Sequence, residues 1–142
     1  MNSKLSYRII IPVYNDNQSL NILIERIYEI AKTNKFYFNI LIIDDNSNEK
    51  IITKVSKDYS KHIAIDILRI NQNLGHQRAI FMGLIYTLNN PVDRIIIMDS
   101  DGEDDPKFII KLIQSNLKSQ NNIVAKRIKR KEGFIFKIFY QL

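Results

Sequence analysis

Four short, almost unbroken apolar runs constrain this chain more than any other feature: "YRIIIPVY" (7–14), "FNILIID" (38–44), "IAIDILRI" (63–70) and "RIIIMD" (94–99), with "NIVAK" (122–126) as a fifth. Each is too short for a buried helix and gives way at once to polar residues, so they read as strands. Several are solidly apolar, which suits a sheet covered on both faces. The intervals carry helical periodicity instead. Leu20, Leu23, Ile24, Ile27 and Ala31 share one face, while Glu25, Arg26 and Glu29 lie away from it. The polar segment 48–59 takes the second helix. Residues 76–89, with Ala79, Met82, Gly83 and Tyr86 at helical spacing, take the third. A last helix has Asp105 as N-cap and Pro106 at its first position, with Phe108, Ile109, Leu112 and Ile113 inward.

Strand and helix therefore alternate, which predicts one α/β domain over residues 1–142: a mainly parallel sheet with right-handed crossovers. Such sheets bind ligands beyond the carboxyl ends of their strands. "PVYNDN", "DDNSN", "NQNLGHQR" and "DSDGEDD" each follow a strand and should gather on one edge. Composition narrows the chemistry available there. The chain has no cysteine, which excludes disulfides and thiolate metal sites. No run approaches the roughly 20 apolar residues of a membrane span, and Pro12 interrupts the only N-terminal apolar stretch. The expectation is a cytoplasmic chain, or one held peripherally at the cytoplasmic face of a membrane. A net charge of +6 suits anionic partners, yet no aromatic platform or basic recognition helix supports nucleic acid, and none is expected.

Against that positive balance stand five carboxylates within seven residues: Asp99, Asp101, Glu103, Asp104 and Asp105. Asp99 and Asp101, two apart in an extended segment, point to the same side, and Glu103 continues the alternation. Hard oxygen ligands at one rim suit Mg²⁺ or Mn²⁺; the alternative is a solvated loop that caps the next helix, a role that fits Asp105. A second acidic pair, Asp44 and Asp45, closes another strand. It reads either as capping or as an acceptor of hydrogen bonds from a nucleotide. Dinucleotide and P-loop glycine motifs are lacking. His62 and His76 have no zinc-ligand spacing and read as surface or packing residues.

"IIIPVYND", "LIIDDNS", "NLGHQRAIFMGL" and "MDSDGEDDP", in this order, resemble the family 2 glycosyltransferases of GT-A fold, nearest the branch that transfers sugars to dolichyl or polyprenyl phosphate. The resemblance implies a three-layer α/β/α sandwich, incomplete at its C-terminus. It also implies a nucleotide-diphosphate sugar of UDP or GDP type as donor, and transfer with inversion in cell-envelope glycan synthesis. By the same resemblance Asp99 and Asp101, with Ser100 between them, are the DxD motif that ties Mg²⁺ or Mn²⁺ to the donor diphosphate. Glu103 is a further metal or donor contact. Pro12, Tyr14 and Asn15 surround base and ribose, Asp44 with Asp45 recognises the base, and Gly75 to Arg78 pass near ribose and diphosphate. For Arg78 an outward helical position is the alternative.

The basic stretch "AKRIKRKEG" (125–133) reads as a solvated turn. The resemblance adds an acceptor phosphate, with Arg127 as its match and anionic membrane as a neighbour. Phe134, Phe136, Phe139 and Tyr140 form an aromatic end through which copies or partners could associate. No general base can be named; in the resembled enzymes it lies beyond this length of chain. A rival reading makes "ILIIDDN" the acidic pair of a receiver module, with Asp99 as phosphoacceptor and Lys126 as its strand-end lysine. Against it, a whole strand and helix precede the pair.

Overall fold

In the computed structural model, which describes residues 5–54, 58–119 and 123, four strands form one parallel sheet. The elements run β1 (Tyr7–Val13), α1 (Asn17–Asn34), β2 (Phe38–Asp44), a 3₁₀ turn at Tyr59–Lys61, β3 (Ile63–Arg69), α2 (His76–Asn89), β4 (Arg94–Ile97) and α3 (Phe108–Ser119). Strand order is β3-β2-β1-β4. The chain divides into two units, Met1–Ile109 and Ile110–Leu142, and the sheet belongs to the first. The expected fifth strand, Arg127 with the basic stretch, and the aromatic end fall outside the described residues, apart from Ile123. No helix among the described residues is long and apolar enough to cross a membrane.

β1 and β2 are buried along their length, as runs of isoleucine predicted. Their registered pairs, such as Ile10 with Leu41 and Pro12 with Ile43, sort the side chains onto two faces. Ile10, Leu41 and Ile43 pack with Ala79 of α2. The other face carries Ile9, Ile11, Ile40 and Ile42, all fully buried, and α1 supplies a buried stripe of Leu20, Leu23, Ile24, Ile27 and Ala31. β3 and β4, outermost among the described strands, are only partly covered, and Ile95 and Ile97 are exposed. The both-faces expectation therefore holds for the two central strands.

Where a helix was expected at 48–59, the described residues 48–54 are irregular and Tyr59–Lys61 form a 3₁₀ turn. Side chains of α1 provide the hydrogen bonds that a helix would have made internally. Asn21 donates through Nδ2 to the Ile52 carbonyl (2.9 Å) and accepts at Oδ1 from the Lys54 amide (2.8 Å), while Asn17 Oδ1 accepts from the Ile52 amide. With backbone groups satisfied this way, β-branched Ile51, Ile52 and Thr53 stay out of a conformation they disfavour. In α3 the N-cap expectation is shifted, because regular helix starts at Phe108 and Pro106 lies in the preceding turn. Phe108 is exposed rather than inward, whereas Ile109 is buried.

α2 is fastened along its length. A Cβ at Gly83 would lie 2.7 Å from Ile10 Cγ2 and 3.2 Å from two Ile43 carbons, so the helix backbone sits directly on the sheet. At the far end, buried Arg8 of β1 donates from Nη1 to Thr87 Oγ1 (3.2 Å) and the Asn90 carbonyl (2.7 Å), and from Nε to Asn39 Oδ1 (3.1 Å). The start of β4 is pinned to β1 separately. Asp93 Oδ2 accepts from the Ser6 amide and hydroxyl, both at 2.7 Å, and the Asp93 amide donates back to Ser6 Oγ.

Two outcomes follow from these contacts. Gly83→Ala should lower stability by about 1–2 kcal/mol, because overpacking outweighs the roughly 1 kcal/mol of helix propensity gained. An unchanged or raised melting temperature would show that α2 lies further from the sheet. The Ser6 donors hold the Asp93 carboxyl below its ordinary value of 3.8. The stabilisation is thus present above pH 3.8 and is lost as pH falls through the lower folded value. Asp93→Asn should flatten the acid limb of the stability profile in that window, measured by chemical denaturation at successive pH values.

Candidate functional site

The strand ends decide what can meet. Pairing between β1, β2 and β3 continues to the last residues, so Val13, Asp44 and Arg69 stand side by side. On the other side, β1 pairs with β4 only as far as Ile10 with Ile97. Pro12 gives the reason. The Met98 amide donates to the Ile10 carbonyl, so this alternate set of β1 residues turns its backbone groups toward β4. Pro12, next in the set, has no N–H to offer, and the two chains are free to part. The divergence falls where the strand order reverses, between β1 and β4, the position at which α/β sheets hold ligands. Tyr14 and Asn15 border it from β1, and Asp99, Ser100 and Asp101 from β4. Pro12 itself is buried within β1, so the loop around the opening begins at Tyr14, whose ring is half exposed.

Asp44 and Asp45 do not act as a pair. Being adjacent at a strand end, they point to opposite faces of the sheet. Both are buried. Asp44 accepts from the Ser47 amide at Oδ1 (2.8 Å) and from Arg69 Nη1 at Oδ2 (3.1 Å), while Arg69 Nη2 also reaches the Ser47 carbonyl (2.7 Å). Asp45 turns toward α2 and accepts the Leu74 amide at Oδ1 and the Gly75 amide at Oδ2, each at 2.8 Å. Its oxygens thus hold the segment before α2 in place. Gly75 adopts φ +83°, a conformation open to glycine, and His76 begins the helix directly afterwards.

Asn15 ties the β1 loop to the β2 loop. Its amide donates to Ser47 Oγ (2.9 Å) and its Oδ1 accepts from the Asn48 amide (2.7 Å). Asn15 and Asn46 both have positive φ, which asparagine tolerates better than most residues. A cavity of about 370 Å³ opens beside this junction, lined by Asn15, Asn17, Ser47, Asn48, Glu49 and Ile51. None of the acidic site residues lines it, so it adjoins the strand-end opening without being the same place.

The acidic loop separates into distinct environments. Asp105 is a structural anchor: it binds Arg26 of α1 (2.8 Å), Lys107 Nζ (2.7 Å) and the Lys107 amide (3.1 Å). Lys107 first, then Arg26, hold its carboxyl below the usual carboxylate range. Asp101 is exposed, and its Oδ1 accepts from the Glu103 amide across a turn in which Gly102 has φ +77°. Asp99 lies 3.3 Å from His76 Nε2 and keeps 43% of its side chain exposed. Glu103 is exposed. No three His, Asp or Glu residues among those described converge into a closed metal cage. Asp99 and Asp101 are hard oxygen donors, the kind of group of which Mg²⁺ commonly takes one or two, completing its shell with water and substrate phosphates.

One member of this edge was missed by sequence reading: Arg69 was taken only as the end of a strand. His76, given a surface or packing role within the Gly75 to Arg78 segment, is half exposed and faces Asp99 from the first position of α2. Arg78 is exposed on the same helix. The receiver alternative fails on this geometry and on the family match below. Asp44 is turned away from the α2 face that carries Asp99, and Asp45 is committed to backbone amides.

The uncharacterized glycosyltransferase YkcC of Bacillus subtilis is 28% identical over all of this chain and 45% of its own length. The undecaprenyl-phosphate 4-deoxy-4-formamido-L-arabinose transferase of Pectobacterium atrosepticum is 29% identical over 92% of this chain and 39% of its own length. The chain thus spans less than half the length of these relatives. Among solved structures, residues 1–349 of S. aureus TarS superpose with a TM-score of 0.57 at 14% identity, covering 90% of this chain and 40% of that one. The same segment in complex with UDP gives 0.52. That likeness confirms the GT-A type of α/β fold. The sequence profile described as Glycosyl transferase family 2 matches residues 8–141, and the chain belongs to that family.

Proposed function

We propose that this chain is the donor-binding, N-terminal part of a single metal-dependent sugar transferase domain. It binds a nucleotide-diphosphate sugar of UDP or GDP type, whose sugar passes with inversion to a polyprenyl phosphate or another precursor of a cell-surface glycan. The observation that carries the reading is that Tyr14, Asn15, Asp44, Asp99 and Asp101 all lie at the carboxyl edge of the sheet, at the ends of the neighbouring strands β1, β2 and β4.

Each group has work suited to its chemistry. The half-exposed Tyr14 ring offers a stacking face for a base. Asp44 is buried and holds the half-exposed Arg69 at 3.1 Å, so it would act on a base edge through that guanidinium. The positive end of α2, at His76 to Arg78, favours the diphosphate. Ser100 stands between the two acids that would hold Mg²⁺ or Mn²⁺, with Glu103 beside them. Bound there, the ion would stabilise charge developing on the departing nucleotide. The UDP complex of TarS supports the donor class, and the name of the Pectobacterium relative supports a lipid phosphate acceptor. We assign Arg127 to that acceptor phosphate. A phosphate acceptor is already anionic and has little need of a general base.

Titration calorimetry of UDP and GDP, with and without Mn²⁺, tests the donor site. One nucleotide should bind in a metal-dependent way, and Asp101→Asn should weaken it by about tenfold, equivalent to roughly 1.4 kcal/mol. Binding indifferent to metal, or unchanged in Asp101→Asn, would overturn the assignment.

A further inference from the structure

The two acidic pairs at the strand ends were expected to cooperate around one ligand, and the structure connects them by a different route. Asp45 and Asp99 both lie on the α2 side of the sheet, flanking the N-terminus of α2. Asp45 fixes the Leu74 and Gly75 amides, Asn73 Oδ1 shares the Gly75 amide at 3.1 Å, and Gly75 turns the chain into His76. His76 then places Nε2 3.3 Å from Asp99 Oδ1. The platform beneath it is rigid, because α2 is seated at Gly83 against Ile10 and tied at its other end by Arg8.

We propose that His76 is a positioning residue for Asp99, mounted on Asp45 through Gly75. Its imidazole fixes the direction of the Asp99 carboxylate at the sheet edge that also carries Asp101. The inference rests on the reading of Asp99 as part of the donor site and deepens it. Several observations favour positioning over simple surface contact. Both partners are about half exposed, yet they are held by separate elements, the start of α2 and the end of β4. Asp45 is buried and its oxygens hold the two amides just before His76, which fixes where the helix begins and with it the imidazole. Carboxylates that hold metals are ordinarily oriented by such outer partners, and losing the partner typically weakens metal binding by about 10- to 100-fold.

The test uses the 142-residue chain with two readouts. The first is the ¹³C shift of the Asp99 carboxyl without metal or nucleotide. It should move in His76→Ala, return toward wild type in His76→Gln, whose side-chain amide restores an N–H donor, and move again in Asp45→Asn. The second is Mn²⁺ affinity in the presence of UDP or GDP, followed by electron paramagnetic resonance. His76→Ala should weaken it by about tenfold or more, with His76→Gln recovering most of the loss. An Asp99 signal indifferent to His76→Ala, or an unchanged Mn²⁺ affinity in that variant, would overturn the inference. If the wild-type chain binds no Mn²⁺ with nucleotide while the Asp99 shift still responds, the donor-site reading fails and the contact stands. Equal melting temperatures of wild type and His76→Ala would separate positioning from folding.

Discussion

The approach of α2 to the sheet is the contact on which the site's geometry depends. A helix carrying an ordinary side chain at residue 83 would be pushed off Ile10 and Ile43, two fully buried residues with no room to yield. With glycine there, the helix axis lies close to β1 and β2, and the start of the helix arrives within reach of the strand ends. Asp45 can then bond the amides ahead of it, and His76 can face Asp99. A local choice in the middle of a helix thus sets the placement of groups two turns away. The Arg8 bonds to Thr87 and Asn90 serve the same end from the other terminus, since a helix fixed at both ends has little freedom to pivot.

The second organising fact is the period of two in a strand. It gives neighbouring acids at the end of β2 different tasks: Asp44 joins Arg69 and the Ser47 turn, while Asp45 supports the loop into α2. The same rule places Asp99 on the α2 side of β4. The two acidic pairs read from the sequence therefore separate into a carboxylate paired with Arg69, a carboxylate that holds the loop into α2, and two exposed or half-exposed acids beyond β4. Asp105 leaves the cluster altogether for Arg26 and Lys107. A protein of net charge +6 can carry this concentration of acid because much of it is already matched by local donors.

Much of the fold was legible because strand burial is written in the isoleucine runs, and the first and third helices in their apolar spacing. The helix at 48–59 was misjudged for a reason that composition hides. The donors and acceptors that stabilise Ile52 and Lys54 come from Asn17 and Asn21, more than thirty residues earlier. The polar residues that follow a strand, Tyr14, Asn15, Asp99 and Asp101, were legible as belonging to one edge of the sheet. The contacts of Arg69 with Asp44 and of His76 with Asp99 were not, because they depend on cross-strand register and on a helix start set by a distant aspartate. Neither signal is local in sequence.

Pro12 carries a consequence for the energetics of ligand capture. Hydrogen-bond ladders tend to propagate, and two parallel strands with matching donors would zip onward until something else stopped them. At the end of β1 the stop is covalent: an imino acid faces β4 at the point where the next rung would form. The end of the β1–β4 pairing is therefore written into the covalent chain. An incoming molecule need not break backbone pairing to enter, so little of its interaction energy is lost to reorganising the sheet.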